Sequence, residues 1–330
     1  MNWNLIGHEW AVQMLKQHVL QGTQRQAYLF TGPENIGRGT LALRFAQALN
    51  CPQLNELGEP CLECPTCNRL GRFVHPDLSV VEAERKGSQL KVDQIRELQH
   101  GLALAPYDAK YRIAILRRFE EANRQAANAL LKTLEEPPQQ VVLILTAASS
   151  DSLLPTIVSR CEVILLRPVS TANLIEGLSA KWQVPLEKAN LFSHLSGGRP
   201  GYAIRLSQNP EELSNRNIWL EDQLNLLSSS RVNRFEYVET VAKHPQSLPE
   251  ILKVWLSFWR DVMLSASNSN AQITNIDYLE KINELAQRIN YPLAFSMVVK
   301  LEKIFENLAY NINPRLSLEV FMLDLPRYDS

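Results

Sequence analysis

The stretch Ala27-Tyr28-Leu29-Phe30-Thr31-Gly32-Pro33-Glu34-Asn35-Ile36-Gly37-Arg38-Gly39-Thr40 decides the fold. Its opening residues form a short apolar run, as a strand does. Thr31-Gly32-Pro33 is a turn signal, and Leu41 to Asn50 then carries apolar residues at helical spacing. Strand, glycine-rich loop and helix make the first half of a βαβ unit. The loop matches the phosphate-cradle pattern G-x-x-x-x-G-K-[ST] at both glycines, Gly32 and Gly37. Backbone N–H groups at such a loop and helix N-terminus favour an anion. Two positions depart from the pattern. Arg38 stands in the lysine place, and Gly39 stands where a hydroxyl would hold Mg²⁺. Thr40 comes one residue late, which on a helix turns its hydroxyl away by about 100°. Shifting the register by one residue would need glycines at Pro33 and Arg38, so it does not rescue Thr40. A guanidinium at Arg38 still suits phosphate. The plainer alternative is a strand-to-helix turn with no ligand.

Working outward, further strands are expected at Leu78–Val81, Arg112–Leu116, Val141–Thr146 and Glu162–Leu166. The run Val141 to Thr146 is nearly all branched and apolar, as a strand covered on both faces should be. Helical stretches lie between them at Val92–Leu104, Arg124–Glu135 and Leu153–Val158, so a parallel α/β sheet is expected up to about residue 167. After Pro168 the strand signals stop. Residues 170–206 read as a small helical unit containing Gly197-Gly198-Arg199-Pro200-Gly201. The rest reads as helices interrupted at Pro245, Pro249, Ser267–Asn270, Pro292 and Pro314.

A second element of nucleotide hydrolases is an apolar strand ending in Asp-Glu. Here Ile113 to Leu116 runs into Arg117-Arg118. Two like charges about 4 Å apart cost on the order of 4 kcal/mol at an effective dielectric near 20, so bare cations there would oppose Mg²⁺. The pair is either a solvated strand end or a partner for nearby acids. Loss of the metal hydroxyl and loss of the acid pair agree, and hydrolysis by this chain is not expected.

Four of the five cysteines fall within seventeen residues: Cys51, then Cys61-x₂-Cys64-x₂-Cys67. Four thiolates close a tetrahedral Zn²⁺ site with no open position, which makes such a site structural. The polar segment Pro52–Pro60 cannot build a core of its own, and structural zinc contributes about 10–16 kcal/mol in small modules. Disulfides, free thiols and an iron–sulfur cluster are the other readings of four cysteines. With 34 basic and 35 acidic residues, the net charge of −1 advertises neither a nucleic-acid nor a membrane binder. The first 22 residues show no signal peptide, and no apolar run is long enough to span a bilayer, so a cytoplasmic location is expected.

Four features occur in order: Tyr28-Leu29-Phe30-Thr31-Gly32-Pro33, the four-cysteine insert, Asn128-Ala129-Leu130-Leu131-Lys132-Thr133-Leu134-Glu135-Glu136-Pro137-Pro138, and Ser159-Arg160-Cys161. Together they resemble the bacterial DNA polymerase III clamp-loader subunits of the AAA+ class. Trp255 to Leu264 and Asn307 to Leu325 resemble the helical collar of those subunits, so the likeness covers nearly the whole chain. The departures at Arg38, Gly39, Arg117 and Arg118 match the delta-prime branch, whose site is commonly degraded, rather than the ATP-hydrolysing gamma/tau branch.

The resemblance implies a three-part chain: an AAA+ α/β domain over 1–167 with a zinc module at 51–67, a helical lid over 168–207, and an oligomerisation collar over 208–330. It implies no ATPase activity of this chain's own and membership of the DNA polymerase III holoenzyme. The implied partners are gamma/tau and delta subunits, and through them a sliding clamp and primed DNA. In this family the arginine of Ser-Arg-Cys is a finger donated to a neighbour's ATP, which assigns that role to Arg160. Without that company, Arg160 would read as a surface or helix-capping residue. Arg199 resembles a sensor-2 arginine or serves structure alone. The residues of a degenerate phosphate site are Gly32, Gly37, Arg38, Gly39 and Thr40, and ATP binding there is not expected. A gamma/tau-type ATPase and a non-hydrolysing nucleotide sensor are the rival readings.

Overall fold

The computed structural model describes residues 3–309 and 313–327. By internal contacts it divides into two compact units, Met1–Lys181 with Gly198–Tyr202, and Trp182–Gly197 with Ala203–Ser330.

The first unit alternates helices and strands. In chain order these are α1 (Glu9–Gln21), β1 (Ala27–Thr31), α2 (Arg38–Asn50), α3 (Pro65–Gly71), β2 (Leu78–Val81), α4 (Val92–Leu102), β3 (Arg112–Leu116), α5 (Arg124–Glu135), β4 (Val141–Ala147), α6 (Pro155–Val158), β5 (Glu162–Leu165) and α7 (Thr171–Trp182). All five strands are parallel, in the order β2-β3-β4-β1-β5. The sheet expected from the apolar runs therefore forms, with β1 and β4 buried along their full length. Side chains alternate across it with period two. Tyr28, Phe30, Ile113, Ile115, Val142 and Ile144 pack with Leu41, Phe45 and Leu15 on one face. Leu29, Ala114, Leu116, Leu143 and Leu145 pack with Ile95, Leu130 and Leu134 on the other.

Two boundaries differ from the apolar periodicity. α2 begins at Arg38, three residues before Leu41, because Gly37 at φ +112 starts the helix directly from the loop. α3 is a helix that periodicity did not announce. Cys64 caps it, its Sγ accepting from the Cys67 N–H, and Pro65 opens its first turn.

The second unit is helical: α8 (Leu186–Leu195), α9 (Pro200–Gln208), α10 (Pro210–Ser228), α11 (Arg231–Ala242), α12 (Leu248–Ala266), α13 (Leu279–Arg288), α14 (Tyr291–Ala309) and α15 (Pro314–Asp324). The breaks expected at Pro249, Pro292 and Pro314 mark where new helices begin. Each proline lies at the start of one, where a missing N–H costs nothing. Within the collar-like stretch Asn307–Leu325, residues 310–312 lie outside the described residues. Trp255 and Trp259 are both buried in α12. Trp255 stacks between Tyr237 and Phe321, and its indole N–H donates to the Trp219 carbonyl at 2.9 Å. Among the described residues no helix is long and apolar enough to cross a membrane.

Candidate phosphate loop, finger arginine and metal centre

The loop leaves the C-terminal end of β1, which lies between β4 and β5. A crevice at the carboxyl end of such an interior strand is where parallel α/β sheets place ligands. Gly32 has φ +143, and a Cβ added there would meet the Leu166 carbonyl oxygen at 2.5 Å, so a side chain cannot be accommodated. Buried Ile36 anchors the turn, and its carbonyl accepts from His8 Nε2 at 2.9 Å. Gly201 N–H donates to the Asn35 carbonyl at 2.8 Å. The two glycines, the turn and the helix start of a phosphate cradle are therefore all in place.

The side chains around the cradle differ from those of a hydrolase. Burial holds the Arg38 guanidinium below its ordinary range, while Glu120 and Glu34 pull it back up and Arg118 opposes them. Its Nη1 is buried without a hydrogen-bond partner among the described residues. Gly39 offers no hydroxyl, and Thr40 is exposed at the surface of α2. Arg199 stacks on Tyr202, its guanidinium carbon 5.1 Å from the ring centroid.

At the end of β3, Arg118 sits at φ +48. Its Nε donates to Glu121 at 3.0 Å and its Nη1 to Glu82 at 3.2 Å. Arg117 lies 3.9 Å from Glu82 and over the Phe73 ring at 4.8 Å. Of the two readings the sequence left open, the geometry shows the second: these cations neutralise nearby acids. The bare-charge repulsion expected there is thereby reduced, since two carboxylates match two guanidinium groups. Glu120 Oε1 accepts from the Ala148 N–H at 3.2 Å, while its Oε2 is buried without a hydrogen-bond partner among the described residues.

Arg160 follows α6 and stays accessible, with 34% of its side chain exposed. Its Nη2 donates to Glu135 Oε1 at 2.6 Å and its Nη1 to the Thr156 carbonyl at 2.8 Å. Neither this carboxylate nor Glu82 beside Arg118 was legible in the sequence, whereas Glu121, three residues on from Arg118, stands at an i,i+3 spacing that could have signalled it. Partners 25 to 36 residues apart share no local spacing rule.

The four cysteines converge, with all four Sγ atoms within 4.8 Å of one another. None is in a disulfide. Thiolates at about 2.3 Å from a tetrahedral zinc lie about 3.8 Å apart, so the cluster needs only small contraction to close on an ion. Cys51 and Cys61 are already 3.6 Å apart. N–H groups of Cys61, Cys64 and Cys67 point at the sulfurs of Cys51, Cys61 and Cys64, at 3.4, 3.3 and 3.3 Å. Burial alone would raise the Cys61 thiol, but N–H donors of Cys64 and Glu63 outweigh it and bring it down to about 7. Burial pushes Cys67 and Cys51 up. Three buried thiols and one partly exposed thiol, together in this geometry, can hold a metal ion. Cys161 stands apart, its thiol pushed up to about 12 by burial.

A five-stranded parallel sheet in this order, with a glycine cradle at the end of the interior strand β1, defines an α/β P-loop domain of the AAA+ class. Residues 7–170 match the family described as DNA polymerase III, delta subunit, and residues 210–326 match the one described as DNA polymerase III, delta subunit, C terminal. The chain belongs to the family of DNA polymerase III clamp-loader AAA+ subunits. It is 25% identical to DNA polymerase III subunit tau of Bacillus subtilis, over 98% of this chain and 61% of that protein. It is 23% identical to subunit gamma of Buchnera aphidicola from Schizaphis graminum, over 98% of both. It is 35% identical to subunit delta' of Pseudomonas aeruginosa, over 60% of this chain and 61% of that one. The chain thus spans about three fifths of the length of the tau relative.

Proposed function

We propose that this chain is a delta-prime-type subunit of a DNA polymerase III clamp loader. It does not hydrolyse ATP itself, presents Arg160 to the ATP of a neighbouring subunit, and helps place a sliding clamp on primed DNA. The supporting observation is an intact backbone cradle whose metal-holding side chains are both replaced. Gly39 lacks the hydroxyl, and Arg118 is engaged by Glu82 and Glu121 where the acid pair would stand. A guanidinium at the surface suits the remaining role, since it stabilises charge on a transferring phosphoryl group in trans. Gamma/tau and delta subunits are the proposed neighbours, and the cytoplasm the proposed place of work.

The proposed division of labour has three parts. Residues 1–167 form the nucleotide-type domain, 168–207 the lid and 208–330 the collar. Exposed Tyr291, Phe295 and Val299 lie at i, i+4 and i+8 on α14, and Leu316, Val320 and Leu323 are exposed on α15. Such unpartnered apolar stripes support an assembly role for the collar. Cys51, Cys61, Cys64 and Cys67 would hold structural zinc, whose contribution is to order the segment between them. The expected test result is no ATP turnover above background from the purified chain, and restored DNA-stimulated ATPase and clamp loading on reconstitution with gamma/tau and delta chains. Turnover by the isolated chain, little changed by Arg38→Lys with Gly39→Thr, would instead make it a gamma/tau-type ATPase.

The unpartnered Nη1 of Arg38 beside the cradle favours a second reading, a sensor that binds nucleotide without hydrolysing it. Calorimetry with ATP, with and without Mg²⁺, separates the two, because micromolar binding belongs to the sensor alone.

A further inference from the structure

We infer that Glu135 is a positioning residue for the Arg160 finger, an assignment that rests on the reading of Arg160 given above. The two residues meet because two helix ends are fixed by sequence. α5 stops at Glu135, since Glu136 precedes Pro137 and adopts φ −129, outside the helical region. α6 opens on Pro155 and closes at Val158, and the Arg160 N–H bonds back to the Ile157 carbonyl at 3.1 Å. Leu130 and Leu134 of α5 and Ile157 of α6 are buried in one core cluster. The carboxylate and the guanidinium therefore stand on elements held by the same packing.

The contact leaves the finger usable. A guanidinium has five N–H donors. Glu135 takes one, at 2.6 Å, and the Thr156 carbonyl takes another, at 2.8 Å. The approach to Ser159 Oγ is long, at 3.5 Å. Three donors stay available to a phosphoryl group without breaking either anchor, so no release step is required. Stability does not account for the pair. Glu135 is the last residue of α5, at the negative end of the helix dipole, which disfavours a carboxylate. A surface pair with side chains 34% and 50% exposed returns little in exchange. Its effect is on orientation: an untethered arginine must surrender rotamer freedom when it meets the reacting phosphoryl group, and Glu135 removes part of that freedom beforehand.

The test is DNA-stimulated ATPase of the reconstituted loader, with the assembled complex checked by gel filtration for every variant. Glu135→Gln is expected to lower kcat about five- to twenty-fold, the order set by arginine rotamer freedom, with KM for ATP changed less than about two-fold. Glu135→Asp should recover part of the rate. Adding Glu135→Gln to Arg160→Ala should cause no further loss, because the two act through one guanidinium. An unchanged or raised kcat for Glu135→Gln, or additive losses in the double variant, overturns the inference. If Arg160→Ala leaves the rate unchanged, the finger reading itself has failed. If Arg160→Ala lowers the rate and Glu135→Gln does not, only the positioning role has failed.

Discussion

Gln47 Nε2 donates to the backbone carbonyl oxygen of Cys67 at 2.8 Å, and both residues are buried. The amide is held in that orientation by Arg44, whose Nη1 donates to Gln47 Oε1 at 2.7 Å. One side chain of α2, the helix that begins at the phosphate loop, is thereby bonded to the cysteine module. Replacing Gln47 with Leu removes both bonds in a buried place, leaving the Cys67 carbonyl only its partner within α3 and Arg44 Nη1 without Gln47. The expected cost is about 1–3 kcal/mol, read as a lower urea midpoint at unchanged m-value.

The metal proposal leads to a local prediction. Elemental analysis of the native chain should find one zinc per molecule. A strong chelator should raise hydrogen exchange in residues 51–67 while β1 and β4 stay protected, because those strands are buried along their full length. Zinc-free native protein, or equal loss of protection everywhere, contradicts the assignment.

Arg234 is buried with its guanidinium surrounded by carbonyl oxygens alone: Leu226, Leu227, Met322, Leu325 and Pro326, at 2.6–3.2 Å. These oxygens end α10 and α15, whose last carbonyls have no partner within their own helices. Burial holds the guanidinium below its ordinary range, with Arg327 and Arg231 acting in the same direction. Arg234→Met should destabilise the second unit by on the order of 3 kcal/mol or more, since charged hydrogen bonds are among the stronger ones. Arg234→Lys should recover little of this, because an ammonium cannot reproduce the planar fork. Thermal unfolding followed by tryptophan fluorescence reads the effect, since Trp255 and Trp259 are in this core.

Asp77 offers a pH test in the first unit. Its carboxylate is fully buried and accepts from the N–H groups of Tyr107, Asp108 and Ala109 and from Arg112 Nη2. Burial alone would raise its pKa, but these donors outweigh it and hold the carboxyl below the usual range. A depressed folded value means that the ionised form is preferred in the folded chain. Its stabilisation is therefore full above the unfolded value of about 3.9 and is lost as pH falls through the folded value. Asp77→Asn should lower stability at pH 7 and flatten the acid limb below about pH 5. An acid limb as steep as that of the parent chain would show that other carboxylates govern it.

What was legible in the sequence was whatever depends on neighbours along the chain. The strands at 112–116 and 141–147 announce themselves because a strand covered on both faces must be apolar throughout. Gly32 and Gly37 mark the cradle because their backbone angles exclude a side chain. The missing hydroxyl at Gly39 and the Arg117-Arg118 pair were equally plain, being identities at defined offsets. α3 was not legible, since seven residues are too few for periodicity to register and its cap is a cysteine.

Only the tertiary structure decided what those identities meet. Arg118 reads in sequence as a cation at a strand end. Folding brings Glu82 to it from 36 residues away, turning an expected repulsion into a paired cluster. Arg234 reads as one more helical arginine until α15, about 90 residues on, delivers its carbonyls. Glu135 and Arg160 are each fixed by a local proline signal, Pro137 and Pro155. Their 2.6 Å contact exists because α5 and α6 share one core. Backbone conformation responds to nearest neighbours and can be read from them. A salt bridge between distant residues, or a carbonyl cluster gathered from two helices, depends on packing between segments far apart in the chain, which no local pattern encodes.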